Sequence, residues 1–257
     1  MKLFHALILG IVEGISEFLP ISSTGHLILA SRLLGMPSSE FLKSFEVAIQ
    51  SGAILAVVAL YWRSLLVNFE VMKRVIAAFI PTMVLGLIFY ALIKKYLLDN
   101  ERIVLISLFV GGVLLILFER WHKEGPDAPD KIEQISYKNA ILIGVCQTFA
   151  MVPGVSRAAM TICGGLALGI KRKTVVEFSF LLAAPTMFAA TALDLLKSYK
   201  TFSMGDAGAL GVGFAASFVT ALFAVKFLLK FIQRHNFTAF GWYRMAAALA
   251  FALIFLR

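Results

Sequence analysis

Long apolar runs dominate this sequence and constrain its fold more than any other feature. They extend for about 17–25 residues, the length that a helix needs to cross a bilayer. The 257-residue chain is 60% hydrophobic and 15% charged, whereas soluble domains are about 45–50% apolar and about 25% charged. We therefore expect an all-α polytopic membrane protein with six full transmembrane helices, at residues 45–62, 75–93, 103–118, 175–196, 208–231 and 239–256.

A polar stretch from Glu13 to His26 interrupts the apolar sequence near the N-terminus. Glu13 and Glu17 share one face of a helix because they are four residues apart, and Pro20 breaks that helix. Residues 22–24, Ser-Ser-Thr, are typical caps of a second helix, whose free N–H groups favour a phosphate. Ionisable groups at membrane depth are costly, so the stretch is interpreted as a functional site in a broken, re-entrant hairpin.

A second broken segment follows the hydrophilic loop at residues 120–138 and resembles the first. When the two segments are aligned, Gln147 corresponds to Glu13 and Ser156 corresponds to Ser22. Each half of the chain then consists of one broken re-entrant hairpin followed by three spans.

This organisation predicts an inverted-topology repeat within a single membrane domain, residues 1–257. A re-entrant hairpin returns to its own side and three spans change sides, so the second half inserts upside down relative to the first. The predicted repeats are residues 1–119 and 139–257. Sites in such proteins form where the broken helices meet near the midplane, which would place Arg157 beside the Glu13–His26 stretch.

The net charge of +9 is attributed to loop residues that fix topology, and no nucleic-acid partner is expected. A modest excess of Lys and Arg lies in the loops on the side reached after the first span. That side is assigned to the cytoplasm, with both termini and the first broken hairpin facing outward. Cys146 and Cys163 lack metal-ligand spacing, so a disulfide framework or zinc site is not expected.

The predicted cluster has the chemistry of a phosphate site. The planar fork of Arg157 suits phosphate oxygens, and the two glutamates offer hard oxygen ligands for Mg²⁺ or Ca²⁺. Ser23 is a candidate nucleophile and His26 a candidate general acid or base. A spacing of three residues puts these two side chains on similar sides of a helix.

The residues of both broken segments are similar to a known family. The stretch from Glu13 to His26 resembles the first signature of the bacterial undecaprenyl-diphosphate phosphatases, the bacitracin-resistance family, and residues 153–157 resemble the second. Residues 45–50 and 177–180 are also similar to that family. The resemblance implies a hydrolase of the bacterial inner membrane that converts undecaprenyl diphosphate to the monophosphate and so recycles the lipid carrier for peptidoglycan synthesis. It also implies a divalent cation and a site facing the periplasm or outside.

The family's functional residues carry over to matching positions. The resemblance assigns Glu13 and Glu17 to the acidic pair that binds Mg²⁺ or Ca²⁺, Ser23 to the proposed nucleophile, His26 to the catalytic histidine and Arg157 to the phosphate-binding arginine. The expected substrate-binding residues are Ser22, Thr24, Gly25, Ser156, Thr161 and Gln50.

Roles within this set stay open at the level of sequence. One scheme has Glu17 accept the proton of Ser23, which attacks the terminal phosphorus; direct attack by water, or His26 as nucleophile, is equally simple. The chain also departs from the family at Ala158–Ala159, where Ser-Gly is frequent, and this departure concerns secondary phosphate contacts.

A secondary transporter or a lipid-phosphate flippase is the alternative function, because carriers often combine inverted repeats with broken helices. A drug-efflux protein is a weaker one. The Ser23 and His26 pair favours an enzyme, since a carrier needs no nucleophile. The expected partners are a polyprenyl diphosphate lipid and the bilayer, with a homodimer left open.

Overall fold

The computed structural model describes residues 1–37, 39–96, 101–198 and 204–255. Within these ranges the chain is helical, with short 3₁₀ turns and no strand. This confirms the predicted all-α class. The helices are α1 (Leu3–Ser16), α2 (Ser23–Leu33), α3 (Glu40–Leu66), α4 (Phe69–Tyr96), α5 (Glu101–Trp121), α6 (Tyr137–Thr148), α7 (Arg157–Ala167), α8 (Arg172–Ser198), α9 (Ala207–Phe231) and α10 (Thr238–Phe255).

Five of the described helices, α3, α4, α5, α8 and α9, are long and apolar enough to cross a membrane. The polytopic membrane class predicted from the sequence is therefore confirmed. The sixth predicted span, 239–256, coincides with α10, which is apolar but shorter than the other five, and residue 256 lies outside the described part of the chain. The first five predicted spans each lie inside an observed helix, which extends beyond them at one or both ends.

The helices break at the two predicted segments. Helix α1 ends at Ser16, a few residues before Pro20, and α2 begins at Ser23. Helix α6 ends at Thr148 and is followed by a short 3₁₀ turn before α7. The residues directly before α2 and α7 are Ser22 and Ser156, with φ of 71° and 80°. These left-handed values are uncommon for residues other than glycine, so both turns are held by their surroundings.

The broken helices pack on helices from the opposite half of the chain. Helix α1 lies along α9, and α6 lies along α4. A Cβ on Gly10 would stand 2.3 Å from the carbonyl oxygen of Gly213, and one on Gly144 would stand 1.9 Å from that of Ala78. Both contacts need a residue without a side chain, because the backbones touch. Helix α3 also packs on α8, and α5 on α10.

An aromatic core anchors the first break. Phe18 lies in the turn after α1 and is fully buried against Phe180 of α8, with ring centroids 5.5 Å apart in an edge-to-face arrangement. Such a pair contributes about 0.5–1.5 kcal/mol beyond its area burial. The turn that carries Glu17 is therefore fixed to α8, which also contacts α7.

Candidate functional site

Glu17 is the centre of the contacts between the two breaks. Its side chain is 7% exposed, and its carboxylate receives hydrogen bonds from both segments. Ser23 Oγ donates to Oε2 at 2.5 Å, and Arg157 Nε donates to Oε1 at 3.3 Å. The two breaks thus meet on one carboxylate, although 140 residues separate Glu17 from Arg157.

The backbone explains how Glu17 reaches this position. Glu17 keeps helical angles, φ −64° and ψ −41°, and its N–H donates to the carbonyl of Glu13 at 2.9 Å. The chain turns immediately afterwards and reverses into α2, whose first residue is Ser23. A serine hydroxyl bonded to a buried carboxylate is arranged as a nucleophile with an adjacent base.

Arg157 is the first residue of α7 and is held from two directions. Besides Glu17, it donates from Nη1 to the backbone oxygen of Ser179 at 3.0 Å, and its guanidinium lies 5.8 Å from the ring centre of Phe18. Among the described residues, its buried Nη2 has no hydrogen-bond partner. An oriented donor of this kind is suited to a phosphate oxygen.

A cavity of about 150 Å³ lies between the two breaks. Polar groups of α2, the turn before it and α7 converge on the cavity together with Gln50 of α3. Two helix N-termini thereby adjoin one space, an arrangement that favours an anion. The lining residues are Glu17, Ser22, Ser23, Thr24, Gln50, Ala150, Pro153, Gly154, Ser156, Arg157 and Met187.

Glu13 is fully buried one helical turn before Glu17 and is not among the residues that line the cavity. In the part of the chain that the structure describes, neither of its carboxylate oxygens has a hydrogen-bond partner. A buried carboxylate without partners is costly, so it is stable only when it is protonated or when a positive charge lies beside it. The described residues form no cluster of three or more His, Cys, Asp or Glu side chains that would enclose a metal by itself.

The expected substrate-binding residues divide into two groups. Ser22, Thr24, Gln50 and Ser156 line the cavity, whereas Gly25 and Thr161 do not. Gly25 faces α5, where a Cβ would stand 3.2 Å from Leu108.

Thr161 and Ser156 stabilise the surroundings of Arg157. The hydroxyl of Thr161 lies 2.6 Å from that of Ser179, the residue whose backbone oxygen binds the guanidinium. Ser156 Oγ accepts a hydrogen bond from the N–H of Ala159 at 3.2 Å and so caps α7. Ala158 and Ala159 are buried small residues in this tightly packed first turn.

His26 lies on α2 but outside the lining of the cavity. Its Nδ1 is 2.8 Å from the carbonyl oxygen of Ser22, and its Nε2 is 2.8 Å from the phenolic oxygen of Tyr243. The two rings are stacked, with an interplanar angle of 8°. The predicted convergence of the breaks therefore brings together Glu17, Ser23 and Arg157, while His26 faces α10.

Sequence reasoning missed two residues near the breaks, Tyr243 and Arg244 of α10. Arg244 is fully buried and donates to backbone oxygens of both breaks, including those of Pro20 and Gly154. A charged residue inside the apolar run 239–256 was the available signal, since such residues mark functional positions by default. Tyr243 offered no comparable signal.

Fold and site together define a polytopic, all-helical membrane protein in which two helix breaks present a serine, a carboxylate and an arginine to one cavity. Residues 6–250 match the family model described as bacitracin resistance protein BacA. The chain belongs to this family. It is 48% identical to the undecaprenyl-diphosphatase of Aquifex aeolicus, with 100% of both chains covered. It is 52% identical to that of a Sulfurihydrogenibium species, over 98% of this chain and 99% of the relative, and 50% identical to that of Persephonella marina, over 100% of both.

Proposed function

We propose that this protein hydrolyses undecaprenyl diphosphate to undecaprenyl phosphate and inorganic phosphate, and thereby confers bacitracin resistance. The main support for this activity is the pair of hydrogen bonds that Glu17 receives from Ser23 and Arg157, which join the two breaks. Family membership and the names of full-length relatives support the same reaction.

The proposed first step is transfer of the terminal phosphoryl group to Ser23. Glu17 accepts the hydroxyl proton while Oγ forms a bond to the terminal phosphorus. The anhydride P–O bond breaks, and undecaprenyl phosphate leaves with the bonding electron pair. Glu17 then passes this proton to the departing phosphate. In the second step water attacks the seryl phosphate, Glu17 takes a proton from the water and returns it to Ser23 Oγ as the P–Oγ bond breaks, and inorganic phosphate is released with the serine restored.

Arg157 and the helix N-termini stabilise the charge that develops in both steps. The unpartnered Nη2 of Arg157 would bind an oxygen of the transferring group, while the bonds to Glu17 and Ser179 keep the guanidinium oriented. His26 is assigned to proton transfer with the leaving phosphate or the attacking water, since it lies one turn from Ser23 on α2. Ser22, Thr24, Gln50 and Ser156 would contact the remaining oxygens.

A divalent cation, Mg²⁺ or Ca²⁺, is part of the proposal, and the residues present fit it. The carboxylate of buried Glu13, which accepts no hydrogen bond from the described residues, is one helical turn from Glu17, and together the two would hold the ion. Within the described residues no third acidic, Cys or His side chain joins these two. The remaining ligands of the ion would then be water molecules or phosphate oxygens, which Mg²⁺ often keeps. When bound, the ion would neutralise phosphate charge.

We also propose that residues 1–257 form a single domain built as an inverted repeat. The two repeat units are residues 1–119 and 139–257, and the loop 120–138 joins them. Helices α2 and α7 both have 11 residues and both follow a left-handed serine. The pairing of α1 with α9 matches that of α6 with α4 when the halves are exchanged. In this arrangement α10 is the sixth span.

The proposed location is the bacterial inner membrane, with the cavity open to the periplasm or outside and both termini on that side. The modest Lys and Arg excess of the opposite loops supports this orientation. A homodimer remains a prediction, for which the mass of the purified protein in detergent is the measurement.

A carrier for a lipid phosphate or another anion is the second candidate. It is favoured by one observation, the packing of α1 and α6 on helices of the opposite half of the chain, since secondary transporters often combine inverted repeats with broken helices. A carrier would bind the lipid diphosphate and release no phosphate.

The test is phosphate release by purified protein in detergent with a polyprenyl diphosphate, with and without Mg²⁺ or Ca²⁺. Glu17→Gln and Arg157→Ala are compared with Glu40→Gln, whose side chain is 81% exposed and forms an ion pair with Lys43 on its own helix. Cation-dependent release that both site variants abolish and the control retains is the expected result. Folded wild-type protein that releases no phosphate with either cation would favour the carrier.

A further inference from the structure

Arg244 of α10 forms a hydrogen-bonding centre between the two breaks. Its side chain is fully buried, and all five N–H groups of the guanidinium donate to backbone oxygens. Among the described residues it forms no ion pair with a carboxylate, so peptide dipoles alone satisfy it. The acceptors are Leu108 at 3.3 Å, Ser107 at 3.1 Å, Pro20 at 3.2 Å, Gly154 at 2.9 Å and Val155 at 3.0 Å.

These acceptors lie next to the two left-handed serines. Pro20 is two residues before Ser22, and Val155 is directly before Ser156. Backbone conformations of this kind persist only where surrounding contacts maintain them. One side chain therefore ties both turns to each other, and it ties both to α5 through Ser107 and Leu108.

Gly111 of α5 provides the space that Arg244 occupies. A Cβ at this position would stand 2.1 Å from Nη2 of Arg244. Since Nη2 is the donor to Gly154 and Ser107, a methyl group there would displace the guanidinium from both acceptors. A substitution of Gly111 therefore displaces the guanidinium of Arg244 without changing the charge of the protein.

We infer that Arg244 is a positioning residue of the diphosphatase, which sets the N-termini of α2 and α7 at the separation that lets Ser23 and Arg157 act on one phosphate. The inference rests on the proposed function. The relative position of Ser23 and Arg157 affects the rate of reaction more than the affinity for substrate, because a misplacement of about 1 Å can reduce a rate about 10²-fold.

Two variants test the inference from different directions. Arg244→Lys keeps the charge but has three donors in place of five, and Gly111→Ala keeps Arg244 and displaces it. For each, kcat and KM for phosphate release are measured per folded molecule, with the folded fraction taken from thermal unfolding and size-exclusion chromatography. We expect kcat to fall about 10²-fold and KM to change less than about threefold.

Matched controls separate position from general stability. Gly211→Ala changes a helical glycine for which the described structure has no atom within 4 Å of the added Cβ. Arg172→Lys changes another largely buried arginine, which joins α8 to Glu119 of α5 and whose hydrogen bonds in the described structure go to Glu119 and Glu124, outside both breaks. Both controls should keep the wild-type kcat per folded molecule.

The outcomes are distinguishable from failure of the proposed function. If wild-type protein releases no phosphate, the proposed function fails. If wild-type protein is active and both variants keep kcat within threefold per folded molecule, the positioning role is overturned. Activity that falls only in proportion to the folded fraction overturns it as well. If Arg244→Lys does not accumulate as folded protein, the kcat of Gly111→Ala decides.

Discussion

The imidazole of His26 is held between the backbone of its own helix and the phenol of Tyr243, 217 residues away. The carbonyl oxygen of Ser22 can only accept, so the 2.8 Å contact assigns the proton of the neutral ring to Nδ1. Nε2 then accepts a second hydrogen bond, of 2.8 Å, from the Tyr243 hydroxyl. The Ser22 carbonyl therefore fixes the tautomer of the histidine, and Tyr243 of α10 fixes the direction of its ring.

Tyr243→Phe should lower kcat for phosphate release by about tenfold, the size expected for loss of one hydrogen bond. The stacked ring remains, so the melting temperature should change little. Steady-state kinetics in detergent is the measurement. Trp242→Phe, at a neighbouring position that is 56% exposed, is the control and should leave kcat unchanged.

A double-mutant cycle tests whether Tyr243 acts through His26. In a His26→Gln background, Tyr243→Phe should have almost no further effect, because the group that it orients is gone. Two effects that multiply fully in the double variant would show that Tyr243 acts independently of the histidine.

Ser23→Ala should lower kcat at least 10³-fold, since it removes the proposed attacking oxygen and frees Glu17 from its shortest contact. Rapid-quench analysis of wild-type protein with labelled substrate should also recover phosphate bound to Ser23. Substantial turnover by the alanine variant would exclude the seryl-phosphate route and favour direct attack by water.

Glu13→Gln should raise the Mg²⁺ concentration needed for half-maximal activity by about tenfold or more. Without a divalent cation the same variant should melt at a higher temperature than wild-type protein, because it removes a buried carboxylate that has no partner in the described structure. Melting curves with and without Mg²⁺ provide a readout that does not depend on catalysis. An unchanged cation requirement would place the ion elsewhere, and Glu40→Gln is the control.

Gly144→Ala should destabilise the protein by at least about 1–3 kcal/mol, the usual result of overpacking. The added methyl group would meet the carbonyl oxygen of Ala78 at 1.9 Å, and backbone cannot move aside as a side chain can. Gly211→Ala, which meets no described atom, should be neutral or slightly stabilising. Thermal unfolding of both variants in one detergent makes the comparison, and equal melting temperatures would contradict the close contact of α4 with α6.

Much of the helical framework is predictable from the sequence, because local signals coincide there. Apolar runs of membrane length locate the long helices, and Pro20 and Pro153 lie in the two breaks. Alignment of Ser156 with Ser22 predicts that the breaks resemble each other, and their left-handed φ values agree. The approach of Arg157 to Glu17 follows once the halves are placed in opposite orientations.

The remaining features depend on contacts that no local pattern encodes. His26 is three residues from Ser23 and was expected beside Ser23 in the site. The imidazole instead stacks on the ring of Tyr243 and lies toward α10. Thr161 was expected to bind substrate, and it supports Ser179 behind Arg157 instead of lining the cavity. Arg244 satisfies its charge with backbone oxygens from three segments that are distant in sequence.

The packing of α1 on α9 has a consequence for biosynthesis. The chain is made from its N-terminus, so α1 leaves the ribosome with Glu13 and Glu17 long before α9 exists to cover it. Arg157 and Arg244 also follow late in synthesis. The nascent N-terminal half therefore carries the acidic pair without Arg157 and the other second-half residues that line the cavity, so the cavity forms only after the second broken segment has been made.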